Sequence, residues 1–155
     1  MALAHNIIIR GLNSVYVQAP YVQPADQHAF LLYARNLFGM LAIHHDSEEE
    51  TIFPAVERMA GEPGVMAANV AQHQAFHGGI DALLAYIGAV LGGGQPYDGR
   101  RLVRLIDAFG GALLEHLADE IQTLLDLRRF GAEKMQGLHK ALADEGQANL
   151  VRSFV

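Results

Sequence analysis

The chain has 155 residues, 51% of them apolar and 18% charged, a formal charge of −6, and neither cysteine nor tryptophan. That length suits one domain with a sizeable core, and the missing cysteines exclude disulfides, thiolate nucleophiles, iron–sulfur clusters and Cys-rich zinc sites. The acidic balance, with no basic stripe beyond Arg100-Arg101 and Arg128-Arg129, argues against nucleic acid. No signal peptide and no apolar run near the ~20 residues needed to cross a bilayer is seen, so the expectation is a soluble cytoplasmic protein with no membrane partner.

The apolar period divides the chain into four long helices and a shorter fifth. The first is expected from about Leu3 to Gln18, with Ile8, Ile9, Leu12, Val15 and Tyr16 on one side and Pro20 and Pro24 marking its exit. The second follows Asp26 and runs to about Ala60, kinked near Glu50 to Pro54 because Pro54 lacks a backbone donor. The third spans about Val65 to Leu91 and stops at Gly92-Gly93-Gly94. Asp98 is the expected N-cap of the fourth, which reaches about Phe130, where Arg128 and Arg129 suit its negative dipole end. A last helix, about Ala132 to Glu145, carries Met135, Leu138 and Leu142 on one face. Short loops between long helices give an all-α, antiparallel up-down-up-down four-helix bundle over 1–130, with the C-terminal helix and tail, 131–155, packed on it.

Eight histidines stand out, and the i,i+4 pairs among them carry chemistry: His44/Glu48, His73/His77 and His116/Glu120. Residues four apart on a helix share a face, one turn above each other, so each pair can clamp a metal ion. On a helical wheel the third helix aligns Met66, Val70, His73, Phe76, His77, Ile80, Leu84, Ile87 and Leu91. The fourth aligns Leu102, Leu105, Phe109, Leu113, His116, Glu120 and Leu127, and the second Tyr33, Leu37, Leu41, His44, Glu48, Ala55 and Met59. His45/Glu49 is a further pair at the edge of the second stripe, about 100° round. Burying Glu48 and Glu120 unpaired in a core would cost several kcal/mol, and no Lys or Arg lies in these stripes. A metal offsets that cost and leaves the imidazoles neutral.

Heights agree. Glu48 lies about 18 Å and His73 about 14 Å from the turn between them, and across the next turn His77 and His116 lie about 21 and 27 Å away. From the first helix, His5 is about 20 Å from its end against about 29 Å for His44 along the second, a mismatch that residues 19–24 can absorb. His28 shares the second helix with His44, about 24 Å away and on the opposite side of the wheel, so His5 is the expected contributor.

On these residues the chain resembles the hemerythrin-like (HHE cation-binding) family over about residues 1–128. HHxxEExxxFP matches His44 to Pro54, HxxxH matches His73 and His77, and HxxxE matches His116 and Glu120. The resemblance implies a non-haem di-iron centre with an oxo or hydroxo bridge, Glu48 and Glu120 bridging, and His5, His44, His73, His77 and His116 as terminal ligands. The oxygen-carrying hemerythrins have HxxxxD where this chain has HxxxE; position 121 is Ile.

Three functions fit. The first is a metal-binding protein that takes up oxygen, nitric oxide or peroxide as carrier, sensor or scavenger; iron suits the mixed ligands, and manganese or zinc fit too. The second is a di-iron oxidase or peroxidase acting on a small substrate, for which Tyr16 is the one candidate proton donor, its alternative role being plain core packing. The third is a metal-stabilised interaction module whose last helix and tail (Leu150, Val151, Phe154, Val155) engage a partner.

Overall fold

In the computed structural model, which describes residues 1–131 together with 133, 134, 136 and 137, every regular element is helical. Helix α1 spans Ala2–Gln18 and tightens into a 3₁₀ turn at Ala19–Tyr21, where Pro20 can occupy the first turn at no cost in hydrogen bonds. Helix α2, Gln27–Ser47, passes through a π-turn at Glu48–Ile52 into α3, Phe53–Ala60. Pro54 sits in the first turn of α3, so the expected kink takes the form of a widened turn just before the proline. Gly61, at φ +70°, closes α3 with its N–H on the Glu57 carbonyl.

Helix α4, Ala67–Leu91, ends in a Schellman motif: Gly94 N–H reaches the Ala89 carbonyl, Gly93 N–H reaches Val90, and Gly93 takes φ +73°. Asp98 caps α5, Gly99–Asp126, by accepting from the Arg101 N–H at 2.9 Å. A 3₁₀ turn, Leu127–Phe130, follows it. Of the expected last helix, 133, 134, 136 and 137 are helical. The rest of it, with the tail at Leu150, Val151, Phe154 and Val155, lies outside the described residues.

The four long helices form a closed ring in which α1 meets α2, α2 meets α4, α4 meets α5 and α5 meets α1. Contacts of His5 with Leu117 and of Tyr16 with Asp107 set α1 antiparallel to α5, and those of His73 with His116 and Gln72 with Asp119 set α4 antiparallel to α5. Each helix buries one seam spaced alternately by three and four residues. It runs His5, Ile8, Leu12, Val15 on α1 and Leu31, Ala34, Phe38, Leu41, His45, Glu48 from α2 into the π-turn. It continues as Asn69, His73, Phe76, Ile80, Leu83, Ile87 on α4 and Leu102, Ile106, Phe109, Leu113, His116, Glu120 on α5. A mean period of 3.5 marks left-handed coiled packing.

That seam corrects the sequence stripes on two helices. On α2, Tyr33 is 47% exposed while Phe38 is fully buried, and on α4 the outward drift leaves Leu84 and Leu91 half-buried. Helix α4 is also long and apolar enough, by length and composition, to cross a membrane, although Gln72, His73, Gln74, His77 and Asp81 interrupt its apolar run.

Two apolar clusters bracket a polar layer. The larger contains Phe38, Leu41, Phe76, Phe109 and Leu113, with Phe38 and Phe109 edge to face at 6.2 Å. The smaller contains Ile52, Phe53, Val56, Met66 and Leu127. Between them along the seams lie His45, Glu48, Asn69, His73, His116 and Glu120, all buried.

Candidate metal centre

The polar layer has two tiers. His45, His73 and His116 make the upper one, with Nε2 of His73 and Nε2 of His116 only 3.1 Å apart. Glu48, Glu120 and His5 lie one turn below, His5 Nε2 standing 3.0 Å from Glu120 Oε2. Glu48 links the tiers, with Oε1 at 3.2 Å from His44 Nε2 and Oε2 at 3.6 Å from His73 Nε2. Ligand atoms of His45, Glu48, His73 and His116 lie within 4.8 Å of one another, and so do those of His5, His44 and Glu48. Glu48 thus belongs to both groups, with Glu120 beside the second.

Hydrogen bonding on the far side of the rings fixes what faces inward. His5 Nδ1 lies 2.9 Å from the Leu117 carbonyl, an obligate acceptor, so Nδ1 carries the proton and Nε2 a lone pair. His73 Nδ1 donates to the Glu49 carboxylate at 2.8 Å. Gln72 donates through Nε2 to Asp119, which leaves its Oε1 to accept from His116 Nδ1 at 3.3 Å. Lone pairs of His73 and His116 therefore face each other, and that of His5 faces a carboxylate. Each arrangement is repulsive unless a cation or a proton lies between. His5 Nε2, His44 Nε2, both ring nitrogens of His45 and all four oxygens of Glu48 and Glu120 have no hydrogen-bond partner among the described residues. Imidazoles that donate outward and aim their second nitrogen inward are the usual outer support of a metal site.

Burial sets the charge state. It drives His44 and His116 down to about 4 and lowers His45 and His73 as well, the histidine neighbours adding to the effect. Burial, then the neighbouring Glu120, pushes the Glu48 carboxyl well above the usual range. Without a cation the cluster thus favours neutral imidazoles and a protonated Glu48. With one, the same groups supply nitrogen lone pairs and carboxylate charge. The donor set fits a divalent or trivalent metal cation.

His5, His44, Glu48, His73, His116 and Glu120 of the sequence set are brought together here. His77 is not. Its side chain is 39% exposed, with Nε2 3.3 Å from Asp46 and Nδ1 3.8 Å from Asp81, both surface carboxylates. It shares a general face with His73 but sits about 70° from the centre of the α4 seam. The upper tier instead takes His45, 1% exposed and packed at 4.6 Å from the His73 ring and 4.8 Å from Phe76. The signal that finds it is the heptad seam Leu31, Ala34, Phe38, Leu41, His45, which the i,i+4 pairing passed over. Tyr16 is also displaced from its suggested role: it is 36% exposed and donates to Asp107 at 2.9 Å. His28 is exposed.

Two outcomes follow. In iron-replete expression, His45→Ala should lower bound metal by about half or more, since it removes one imidazole from the three of the upper tier, whereas His77→Ala should match the parent; elemental analysis showing the reverse ranking would contradict the geometry. For chelated protein, His44, His45, His73 and His116 have folded pKa values below their ordinary 6.5. The unfolded chain then binds more protons as pH falls below 6.5, so stability drops toward about pH 4. Glu48, raised on folding, acts in the opposite sense and is outnumbered. The melting temperature of chelated protein should therefore fall between pH 7 and 5; a flat or rising profile would show that the imidazoles are not buried neutral.

Comparison with known proteins agrees with this arrangement. A protein of Cryptosporiopsis sp. (strain 8999), described as dimeric xanthone biosynthesis cluster protein R11, is 39% identical over 137 residues, 88% of this chain and 52% of that one. The chain thus spans about half the length of the curated relative it matches. No solved structure matches it. Residues 1–127 match the hemerythrin HHE cation-binding domain, and with its buried histidine and glutamate cluster the chain belongs to that family.

Proposed function

We propose that the protein holds two iron ions between its helices and takes up a small ligand there, dioxygen, nitric oxide or peroxide, as carrier, sensor or scavenger. The observation that carries this is the shared carboxylate: Glu48 belongs to both groups of converging ligand atoms, so its two oxygens would be available to a pair of ions. Five imidazoles with two carboxylates form a donor set that suits iron. They supply five bonds, and four more if both carboxylates bridge, short of the twelve that two six-coordinate ions take. Two such ions would supply electrons and an open coordination position to a ligand of few atoms.

The residues of the chain do the rest. Leu117, Glu49 and Gln72 hold the rings of His5, His73 and His116 in the tautomer that presents Nε2 inward. Phe53 lies against His73 at 5.4 Å, and Phe76 against His45 and His116 at 4.8 and 5.4 Å, which excludes bulk water from the upper tier. The raised carboxyl of Glu48 can keep a proton until a cation displaces it. His44, with 18% of its side chain exposed, lies nearest solvent among these groups and marks the approach to the lower tier.

A second reading has one observation in its favour. The Cryptosporiopsis relative carries the description of a dimeric xanthone biosynthesis cluster protein, which suits oxygen-dependent chemistry in small-molecule biosynthesis. The enclosed site favours a ligand of few atoms over an aromatic substrate. Exposing reduced, anaerobic, iron-loaded protein to oxygen and to nitric oxide while recording the visible spectrum tests the proposal. A new charge-transfer band is expected with either gas. Spectral silence in protein carrying two irons would mean a closed storage or structural site.

A further inference from the structure

Asn69 is unexplained by the ligand set. It is 1% exposed on the buried seam of α4, and neither its Nδ2 nor its Oδ1 has a partner among the described residues. An amide buried with both ends unsatisfied is strongly disfavoured against an apolar residue of the same shape. Native interiors seldom keep one without a ligand, water or ion to complete it.

Its level in the bundle says which. Asn69 lies one helical turn before His73, and Glu120 one turn after His116. With α4 and α5 antiparallel and His73 facing His116 at 3.1 Å, the two turns lead to the same tier. The Gln72–Asp119 bond at 2.9 Å fixes this register independently. The lower tier thus receives His5 from α1, Glu48 from the π-turn, Glu120 from α5 and Asn69 from α4. Three of these present nitrogen or carboxylate oxygen. The fourth presents a neutral amide, a weak metal ligand but a good hydrogen-bond donor and acceptor.

We propose that Asn69 is the hydrogen-bonding group for the small ligand taken up at the lower tier, on the side of the centre that faces α4. The inference rests on the proposed function and narrows it. Nδ2–H donates to an anionic ligand, and Oδ1 accepts from one that carries a proton. A peroxide-like ligand uses both. Nitric oxide, neutral and a poor acceptor, uses neither well. Asn69 therefore biases the site toward oxygen-derived anions.

Azide, an anion that accepts hydrogen bonds, is the probe. Asn69→Leu keeps the volume and removes both polar atoms. In iron-loaded protein it should retain the metal content of the parent, weaken azide about tenfold in a spectral titration, and change nitric oxide affinity less. Chelated Asn69→Leu should melt no lower than chelated parent, because it sheds the unsatisfied amide; a merely structural asparagine would give a lower melting temperature with azide unchanged, which overturns the inference. Should Asn69→Leu fail to fold, Asn69→Ser, whose shorter hydroxyl withdraws from the ligand, must also weaken azide. Equal azide affinity in either folded variant, or loss of iron at unchanged stability, overturns it too, the latter by making Asn69 a metal ligand. If the parent itself binds neither two irons nor azide, the proposed function fails and takes this inference with it.

Discussion

Burying five imidazoles and the carboxylates of Glu48 and Glu120 in the middle of a helix bundle constrains everything else in this chain. Carboxylates in a low-dielectric interior cost several kcal/mol each unless an opposite charge sits against them. The buried seams offer no Lys or Arg. The histidines, kept neutral by burial, cannot serve as counter-ions in their place. A proton, as on Glu48, or a cation is the remaining partner, and the inward lone pairs of His5, His73 and His116, held by acceptors on the outer side of each ring, suit a cation.

The fold meets that constraint by layering. The large aromatic cluster around Phe38, Phe76 and Phe109 keeps the helices in register on one side of the polar tiers. The smaller cluster around Phe53, Val56, Met66 and Leu127 closes the other end. The π-turn at Glu48–Ile52 falls where Glu48 belongs to both groups of converging ligand atoms. Widened turns of this kind shift the phase of a helix and recur at functional sites. Pro54, just beyond it, has no N–H to give to the helix and so tolerates the disruption.

Much of this was legible in the sequence. Helix termini followed their local chemistry: Asp98 as a cap, the Gly92 to Gly94 stop and the break before Pro54 stand where sequence placed them. His5 was separable from His28 because helix rise and facing are nearly invariant over sixteen residues. What escaped turns on the difference between 3.6 and 3.5 residues per turn. An i,i+4 pair reads as a clamp on an isolated helix, but a coiled bundle selects positions by the heptad seam, and a drift of about 20° per heptad decides which side of the seam a residue takes. His77 thus went outward to Asp46 and Asp81, and His45 inward among His73, His116 and Phe76. Tyr16 moved to the surface because the α1 seam passes through Leu12 and Val15. Asn69 gives no ligand signal in the sequence, since an amide carries neither the charge of a carboxylate nor the lone-pair strength of an imidazole.

The central claim is that one carboxylate-linked cluster holds two cations side by side. X-ray absorption at the metal edge of protein loaded with iron tests it most directly. The account predicts a nitrogen and oxygen shell with imidazole scattering and a metal–metal vector within about 4 Å, the spacing of paired sites. A spectrum with that shell but no metal–metal vector, from protein carrying its full complement of iron, would contradict it.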